Sequence, residues 1–364
     1  MKSKAMLIAM AGMTAAGAGW CQIQAPAGRK QGPGVQASQD AREPGVLKAC
    51  KTPPPTPVAR GGRGRAGRGR GRGPVESGPK EVTVTQIPGV IAAGQQWKEI
   101  WEVDGNNADG IIAKDGGILI AQNDNSDVVL LDKNGKTSVA FTGTNTGGSV
   151  AVNSKGALLL INRGLNPSIE ELAPHRHSLA TKAANGDPLD CLGGVFNDLT
   201  ADSKGGAYFT VTPSGVFYAD SKGNVAKYGE NIVPNGIVLS ADEKHLFVTN
   251  GMTIAEFDVQ KDGSLTNQRE FAKLEGCSGG FCGGDGSTMD SAGRLYVSSQ
   301  AGVQVIGPDG KYLGVIPTPR DIISLAFSGP DRKTLYAVSR DGAQNKDWII
   351  GIRTIAQGPK GRGK

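Results

Sequence analysis

Hydrophobic and polar positions repeat along the C-terminal three quarters of the chain. Six segments each begin with a small or polar residue, continue with apolar residues two apart, pass through a tight turn and resume as a second apolar stretch. They are DGIIAKDGGILIA from Asp109, GSVAVNSKGALLLI from Gly148, NDLTADSKGGAYFTV from Asn197, NGIVLSADEKHLFVT from Asn235, DGSTMDSAGRLYVSS from Asp285 and ISLAFSGPDRKTLYAV from Ile323. Their starts lie 39, 49, 38, 50 and 38 residues apart. Alternation beside Asp and Gly turns predicts antiparallel β-hairpins.

A period of about 40–50 residues, holding four short strands, is the size of a propeller blade. The sequence therefore predicts an all-β, six-bladed β-propeller over residues 81–357. Propeller rings usually close by pairing a strand from one terminus with the blade at the other. Trp97–Val103 precedes the first repeat without a hairpin partner of its own, so we expect it to pair with the last blade. The 55 glycines agree with this fold, because glycine destabilises helix interiors.

The segments that flank the repeats differ in composition. Residues 1–18 are predicted to be a signal peptide, with two early lysines, a small apolar run and an Ala-Gly-Ala cleavage site. Residues 19–80 are rich in Pro, Gly and Arg, and are predicted to be a disordered linker. Residues 358–364 are predicted to be a basic tail. This organisation predicts an exported protein, periplasmic or extracellular.

The positive charge of the chain lies in these flanks. Residues 1–80 carry 14 Lys and Arg against 3 Asp and Glu, and residues 358–364 carry 3 Lys and Arg, so residues 81–357 have a net charge of −8 within the total of +6. The total therefore does not indicate a nucleic-acid-binding fold. The alternating Arg and Gly predict a flexible cationic tether, for which an anionic envelope polymer is the candidate contact. No run of apolar residues in the sequence reaches the roughly 20 residues that a membrane span needs. We expect the protein to be a monomer.

Four of the six repeats begin with a residue that carries an oxygen ligand. These residues are Asp109, Asn197, Asn235 and Asp285. Corresponding positions in consecutive blades converge on the propeller axis, so the four side chains are predicted to surround one point. Carboxylate and amide oxygens suit a hard cation, which favours Ca²⁺, with Mg²⁺ and Zn²⁺ as alternatives. Asn and Asp are also common turn residues, and that interpretation suits any one of the four taken alone.

The later repeats also resemble a known family in their motifs. NDLTADSKGGAYFT, VPNGIVLSADEKHLFVTNG, GDGSTMDSAGRLYVSSQAGVQVIGPDG and FSGPDRKTLYAV are similar to the regucalcin (senescence marker protein)/gluconolactonase family of six-bladed propellers. The resemblance implies hydrolysis of a lactone at one divalent ion, held by a Glu, one or two Asn and an Asp at blade starts. It implies that the ion polarises the lactone carbonyl and that Asp285 is both ligand and general base. Asp198 is a weaker candidate for the base.

Two positions depart from the family's motifs. Asp109 stands where the family usually has Glu, and its side chain is one methylene shorter, so the ion must shift or its coordination must relax. Val195 stands two residues before Asn197, where some relatives have a substrate-binding Arg. The resemblance therefore does not extend to specificity for a sugar lactone.

Export permits disulfides between the cysteines. Cys277 and Cys282 enclose a glycine-rich loop just before Asp285, and we predict that they bridge. Cys191 is expected on the same rim of the propeller and is an alternative partner for either of these two cysteines. One cysteine of the propeller is then left without a partner, unless Cys50 forms a disulfide with it. The sequence does not set this connectivity.

Two classes of function are consistent with these features. The first is an exported, metal-dependent hydrolase of lactones or related esters, in which water attacks a polarised carbonyl. No G-x-S-x-G motif indicates a serine nucleophile. The alternative is a non-catalytic propeller that serves as a binding or scaffold module with a structural ion. Asp109 and Val195 keep this alternative open, and the sequence as a whole favours the hydrolase.

Overall fold

Six four-stranded antiparallel sheets make up the propeller. The structure is a computed structural model that describes residues 36–52, 54, 78–277 and 282–361. Within these ranges 24 strands form the six sheets, which confirms the predicted six-bladed fold. The predicted signal peptide and the Arg/Gly-rich part of the linker lie outside the described residues.

The strands follow one another in chain order, four to a blade. One strand, β1 (Lys98–Asp104), comes before the first blade. The first blade consists of β2 (Ile111–Lys114), β3 (Gly117–Gln122), β4 (Asp127–Leu131) and β5 (Thr137–Thr142), and the second of β6 (Gly147–Val152), β7 (Leu158–Asn162), β8 (Ser168–Ala173) and β9 (His177–Ala180). The third blade consists of β10 (Val195–Ala201), β11 (Ala207–Thr212), β12 (Gly215–Ala219) and β13 (Val225–Tyr228). The fourth blade consists of β14 (Pro234–Leu239), β15 (His245–Asn250), β16 (Thr253–Val259) and β17 (Leu265–Lys273), and the fifth of β18 (Gly283–Met289), β19 (Leu295–Ser299), β20 (Gly302–Ile306) and β21 (Tyr312–Ile316). The sixth blade consists of β22 (Asp321–Ser328), β23 (Thr334–Asp341) and β24 (Lys346–Arg353), and β1 is its fourth strand.

The first strand of each blade lies nearest the axis of the ring. These inner strands, β2, β6, β10, β14, β18 and β22, contact one another in turn around the ring. Apolar side chains fill the space between adjacent blades; Tyr208, Ile237 and Phe257, for example, pack together between the third and fourth blades. Strand side chains alternate between the two faces of a sheet, and both faces are covered by neighbouring blades. The period-two apolar pattern of the repeats follows from this packing.

The sixth blade joins the two ends of the propeller. β1 pairs antiparallel with β24, from Lys98 opposite Gly351 to Asp104 opposite Lys346. This confirms that the segment predicted as Trp97–Val103 closes the ring, with the strand shifted by one residue. Trp97 lies just before the strand, and its indole nitrogen donates a hydrogen bond to a loop carbonyl of the fifth blade.

An N-terminal strap, residues 36–52, packs against the propeller. It contains a 3-10 turn (Ala37–Gln39) and a short helix, α1 (Glu43–Lys48), which lies against a second 3-10 turn (Leu189–Leu192). The prediction of a disordered linker over residues 19–80 is therefore wrong for this segment. The strap is poor in aliphatic residues, so its composition gave no sign of a packed structure.

Covalent and polar links hold the strap in place. A disulfide joins Cys50 to Cys191, with their Cα atoms 5.8 Å apart. Next to it, the Lys51 amide donates to the Asp187 carboxylate at 2.9 Å. The link to Cys191 answers the connectivity that the sequence left open. A second disulfide joins Cys277 to Cys282, as predicted.

The C-terminal residues cover the end of the channel opposite the blade starts. The Gly358 amide donates to the Arg332 carbonyl at 2.8 Å, so the predicted basic tail is packed at its first residue. Pro359 and the far ends of the inner strands line a cavity of about 430 Å³, counting the space open to solvent. None of the described helices is long and apolar enough to cross a membrane.

Candidate functional site

The four predicted ligand residues occupy one register at the start of four inner strands. Asn197, Asn235 and Asp285 lie within β10, β14 and β18, and Asp109 lies two residues before β2. In β10, β14 and β18 the pairing to the next strand is interrupted at this position. Such a bulge bends a strand and re-aims its side chains. The structure thus brings the four residues to the same end of the channel, and this end is the candidate metal centre.

Glycine follows three of these residues because the inner strands nearly touch there. A Cβ atom at Gly236 would lie 1.9 Å from the carbonyl oxygen of Asp285, and one at Gly110 would lie 2.7 Å from Cα of Ser149. A side chain at either position would push neighbouring blades apart. Glycine in the Asn-Gly and Asp-Gly pairs of the repeats is therefore required by the close packing of the inner strands around the axis, in addition to the preference of these residues for turns.

Asp198 occupies the position that glycine fills in the neighbouring blade. Its Oδ1 accepts hydrogen bonds from the Ser149 hydroxyl at 2.6 Å and the Leu199 amide at 2.9 Å, and its Oδ2 accepts one from the Ile237 amide at 3.0 Å. The residue is 4% exposed. A carboxylate held on both oxygens across three blades favours a structural role, and not proton transfer, for Asp198.

Arg163 enters the candidate metal centre from the second blade. Its Nη1 donates to Asp109 Oδ2 at 2.5 Å, and its Nη2 donates to the backbone carbonyl of Asn197. The guanidinium lies where the second blade supplies no side chain, because a Cβ atom at Gly148 would fall 1.9 Å from Arg163 Cζ. Sequence reasoning missed this residue; the one signal was a repeat that begins with glycine where its neighbours carry an oxygen ligand.

Arg340, at the end of β23, supports the centre from the sixth blade. Its guanidinium donates to both oxygens of Asp347, at 2.7 and 3.0 Å. Asp347 also accepts the backbone amides of Asn107 and Ala108. This network fixes the loop that leads to Asp109. It too was absent from the sequence prediction, since neither residue lies at a repeat start.

The two aspartates of the centre have opposite pKa shifts. Burial acts to raise the pKa of Asp109, but the charges of Arg163 and Arg340 and a hydrogen bond from Asn123 outweigh it, so the pKa lies below its usual value. Burial and the nearby charge of Asp109 raise the pKa of Asp285 to about 7, against the lowering effect of Arg163. These mutual effects show that the blade-start carboxylates and both arginines form one electrostatic cluster.

The side chains present fit a divalent cation. Asn235 Oδ1 is buried without a hydrogen-bond partner among the described residues. The Asn197 amide nitrogen donates to the Thr212 hydroxyl at 2.7 Å, which leaves its oxygen available as a ligand. Both side-chain bonds to Asp109 end on Oδ2, so its Oδ1 is available. In the part of the chain that the structure describes, no group donates a hydrogen bond to the carboxylate of Asp285.

A second cluster of potential ligands lies on the fourth blade. His245, Glu256 and Asp258 present their side chains close together. Arg269 binds both acids there, with nitrogen–oxygen distances of 2.8 Å to Glu256 and 2.7 Å to Asp258. The guanidinium already pairs with both carboxylates, so we interpret the cluster as an ion-pair network.

The comparison with known families agrees with this architecture. A model of the SMP-30/gluconolactonase/LRE-like region matches residues 113–341 of the chain. The chain belongs to this family. The match begins within β2 and ends with β23, and includes three of the four candidate ligand residues.

Curated relatives match parts of the propeller. A pentonolactonase, XacC, of Haloferax volcanii is 28% identical over 158 residues, which cover 40% of this chain and 54% of the relative. A gluconolactonase of Zymomonas mobilis is 29% identical and covers 38% and 46%. A lactonase, drp35, of Staphylococcus saprophyticus is 30% identical and covers 44% and 56%. The chain thus spans about half the length of the curated relatives it matches.

Solved structures show the same fold over more of the chain. A gluconolactonase from Xanthomonas campestris superimposes with a TM-score of 0.59 and 20% identity, over 76% of this chain and 95% of that one. A calcium-binding regucalcin from Agrobacterium tumefaciens gives a TM-score of 0.57 and 18% identity, over 73% and 96%. At these identities the similarity supports the propeller fold alone.

Proposed function

We propose that the protein is a divalent-metal-dependent hydrolase of lactones or related esters. The observation that carries this proposal is the set of oxygen atoms at the blade starts, among which the buried Asn235 Oδ1 lacks any partner in the described residues. A buried polar atom without a partner costs about 1–3 kcal/mol, and a bound cation would remove that cost. The family membership and the lactonase names of the curated relatives support the same chemistry.

Each residue of the centre has a role in this proposal. Asp109, Asn197, Asn235 and Asp285 would hold the cation, for which Ca²⁺ is the first candidate and Mg²⁺ and Zn²⁺ are alternatives. The bound ion would polarise a lactone carbonyl. The carboxylate of Asp285 would accept a proton from the attacking water. Arg163, bound to Asp109, would hold that carboxylate in place and add positive charge where an oxyanion develops.

The cellular setting of this activity is also a proposal. The N-terminal sequence pattern supports export to the periplasm or the extracellular space, where the two disulfides would form. The Arg/Gly-rich segment would then act as a tether, with contact to an anionic envelope polymer, and the protein would work as a monomer on a small lactone. Blocking export in the native host and locating the protein by fractionation would test this setting.

The decisive experiment compares two matched Asp→Asn variants. Asp285→Asn should lower the turnover of a lactone panel by roughly 10²–10⁴-fold, because it removes the proposed base, and should weaken Ca²⁺ binding. Asp198→Asn should mainly lower thermal stability, because it breaks hydrogen bonds between blades. Chelator treatment of the wild type should abolish turnover, and added Ca²⁺, Mg²⁺ or Zn²⁺ should restore it. If the wild type binds no divalent ion in calorimetry, the proposal is wrong.

The ion pair between Arg163 and Asp109 favours a second candidate function. The guanidinium competes with a cation for a carboxylate that would otherwise be a full ligand. A propeller in which this pair replaces the metal would act as a binding or scaffold module. Wild-type protein that hydrolyses no lactone with any of the three metals, and whose stability does not change with chelator, would favour this alternative.

A further inference from the structure

The N-terminal strap packs against the part of the propeller that leads into the candidate metal centre. Its disulfide joins Cys50 to Cys191, and α1 contacts the 3-10 turn that contains Cys191. Asn197, a candidate ligand, follows Cys191 by six residues. The strap itself lies outside residues 113–341, the part of the chain that the family model matches. Family membership therefore does not explain why the chain carries it.

The strap fixes the backbone at Arg163. The Ala37 amide of the strap donates a hydrogen bond to the Arg163 carbonyl at 2.9 Å. At the other end of the same turn, the Asn166 amide donates to Oδ1 of Asp190 at 3.1 Å, and Asp190 is the chain neighbour of Cys191. The turn that begins with Arg163 is thus held by the strap and by the segment to which the strap is disulfide-bonded.

The side chain of Arg163 in turn holds two residues of the candidate metal centre. Its Nη1 donates to Oδ2 of Asp109, and its Nη2 donates to the backbone carbonyl of Asn197. Asp109 precedes the first strand of the first blade and Asn197 lies in the third blade, so one guanidinium joins the two blades on either side of the second. The atoms left for a cation are Oδ1 of Asp109 and the side-chain oxygen of Asn197. The position of Arg163 therefore bears on the distance between these two oxygens.

We propose that the strap is a positioning element of the candidate metal centre, and that the Ala37 amide and the Cys50–Cys191 disulfide raise the affinity of the centre for a divalent cation. Ligands that are already held in place lose less conformational entropy when a cation binds. In the described chain no strap residue forms a hydrogen bond to a candidate ligand, so the strap acts through Arg163. The cation itself rests on the proposed function.

Calcium calorimetry on the oxidised full chain is the first test. Ala37→Pro removes the amide that binds Arg163, and proline suits this position because Gln36 before it is already extended, with φ −63° and ψ 148°. Ala37→Ser is the matched control, since it keeps the amide. Ala37→Pro and Cys50→Ser/Cys191→Ser should each weaken Ca²⁺ binding about fivefold, which is the size of effect expected from one lost hydrogen bond. Ala37→Ser should bind Ca²⁺ like the wild type.

A remote variant separates positioning from a general loss of stability. Tyr296→Phe removes a hydrogen bond from the Tyr296 hydroxyl to Asp290, at the opposite end of the channel. It should lower the midpoint of thermal unfolding and leave the Ca²⁺ affinity unchanged. If the Ca²⁺ affinity follows thermal stability across all these variants, or if the strap variants bind Ca²⁺ as tightly as the wild type or more tightly, the strap does not position the centre.

Amide hydrogen exchange on the metal-free protein keeps this inference apart from the proposed function. Ala37→Pro and Cys50→Ser/Cys191→Ser should exchange faster than the wild type in the turn at residues 163–167 and at the start of β10, and not at the start of β18 in the fifth blade. Faster exchange confined to the strap would overturn the inference. A wild type that binds no divalent ion but shows the expected exchange pattern would refute the proposed function and leave the strap as a positioning element for Arg163. Strap variants that bind Ca²⁺ as tightly as a functional wild type would refute the inference alone.

Discussion

A buried arginine sets the electrostatics of the candidate metal centre at the residue scale. Arg163 and Asp109 are 7% and 14% exposed at their side chains, and their ion pair is therefore almost fully shielded from water. Removing one partner of such a pair is costly, because the remaining charge stays buried without compensation. A divalent cation bound to Asp109 would also compensate the buried negative charge of this carboxylate. Arg163 and the metal thus both stabilise the charge of Asp109, and the presence of one should change how much the other stabilises the protein.

The first prediction concerns this pair. Arg163→Met should lower the free energy of unfolding by about 3–5 kcal/mol, because Asp109 is left buried without the guanidinium. Asp109→Asn in the Arg163→Met background should recover a large part of that loss, because it removes the uncompensated charge. Urea denaturation of the wild type, both single variants and the double variant measures the coupling. Additive losses in the double variant would show that the two side chains are not energetically linked.

At the element scale, the sequence predicted the strands better than it predicted the site. The hairpins and the closing strand follow from local alternation of apolar residues, and the ligand positions follow from the repeat of Asn-Gly and Asp-Gly. Arg163 and Arg340 follow from neither, because both lie at the end of the second strand of their blades and not at a repeat start. The strap depends on a disulfide between residues separated by 141 positions, which no local pattern encodes. Side chains away from the repeat starts and long-range links are thus what the sequence analysis missed.

The second prediction tests the close approach of the inner strands. Gly236→Ala should destabilise the protein by about 1–3 kcal/mol and weaken Ca²⁺ binding, because the added Cβ atom collides with the Asp285 backbone and separates β14 from β18. Gly342→Ala is the matched control, since no atom lies within 4 Å of its Cβ position. Thermal unfolding and Ca²⁺ calorimetry on both variants provide the measurement. Equal stability of the two would mean that the strands can move apart at little cost.

At the scale of the whole molecule, the pairing of β1 with β24 makes the ring a single unit. Each blade packs against two neighbours, so an open ring would expose apolar faces of two blades and an unpaired edge strand. Exposed edge strands readily pair with other chains. Residues before β1, among them Val84 and Ile91, also pack into the cluster beside the sixth blade, and the Val90 carbonyl accepts backbone hydrogen bonds there, but the segment adds no strand to a sheet. Loss of β1 and loss of these residues should therefore have different consequences.

The last prediction separates these two contributions by truncation. A chain that starts at residue 94 keeps β1 and loses the packing of the preceding residues, so it should still unfold in one cooperative transition, at a lower temperature than the full chain. A chain that starts at residue 106 also lacks β1, so β24 becomes an open edge and we expect aggregation instead of a cooperative transition. Both chains carry Cys191→Ser, because the strap cysteine is absent from them. A synthetic peptide of residues 94–105, which contains β1, should restore soluble, cooperatively folded protein to the shorter chain. If the chain from residue 106 is as soluble and cooperative as the chain from residue 94, ring closure by β1 is not what holds the six blades together.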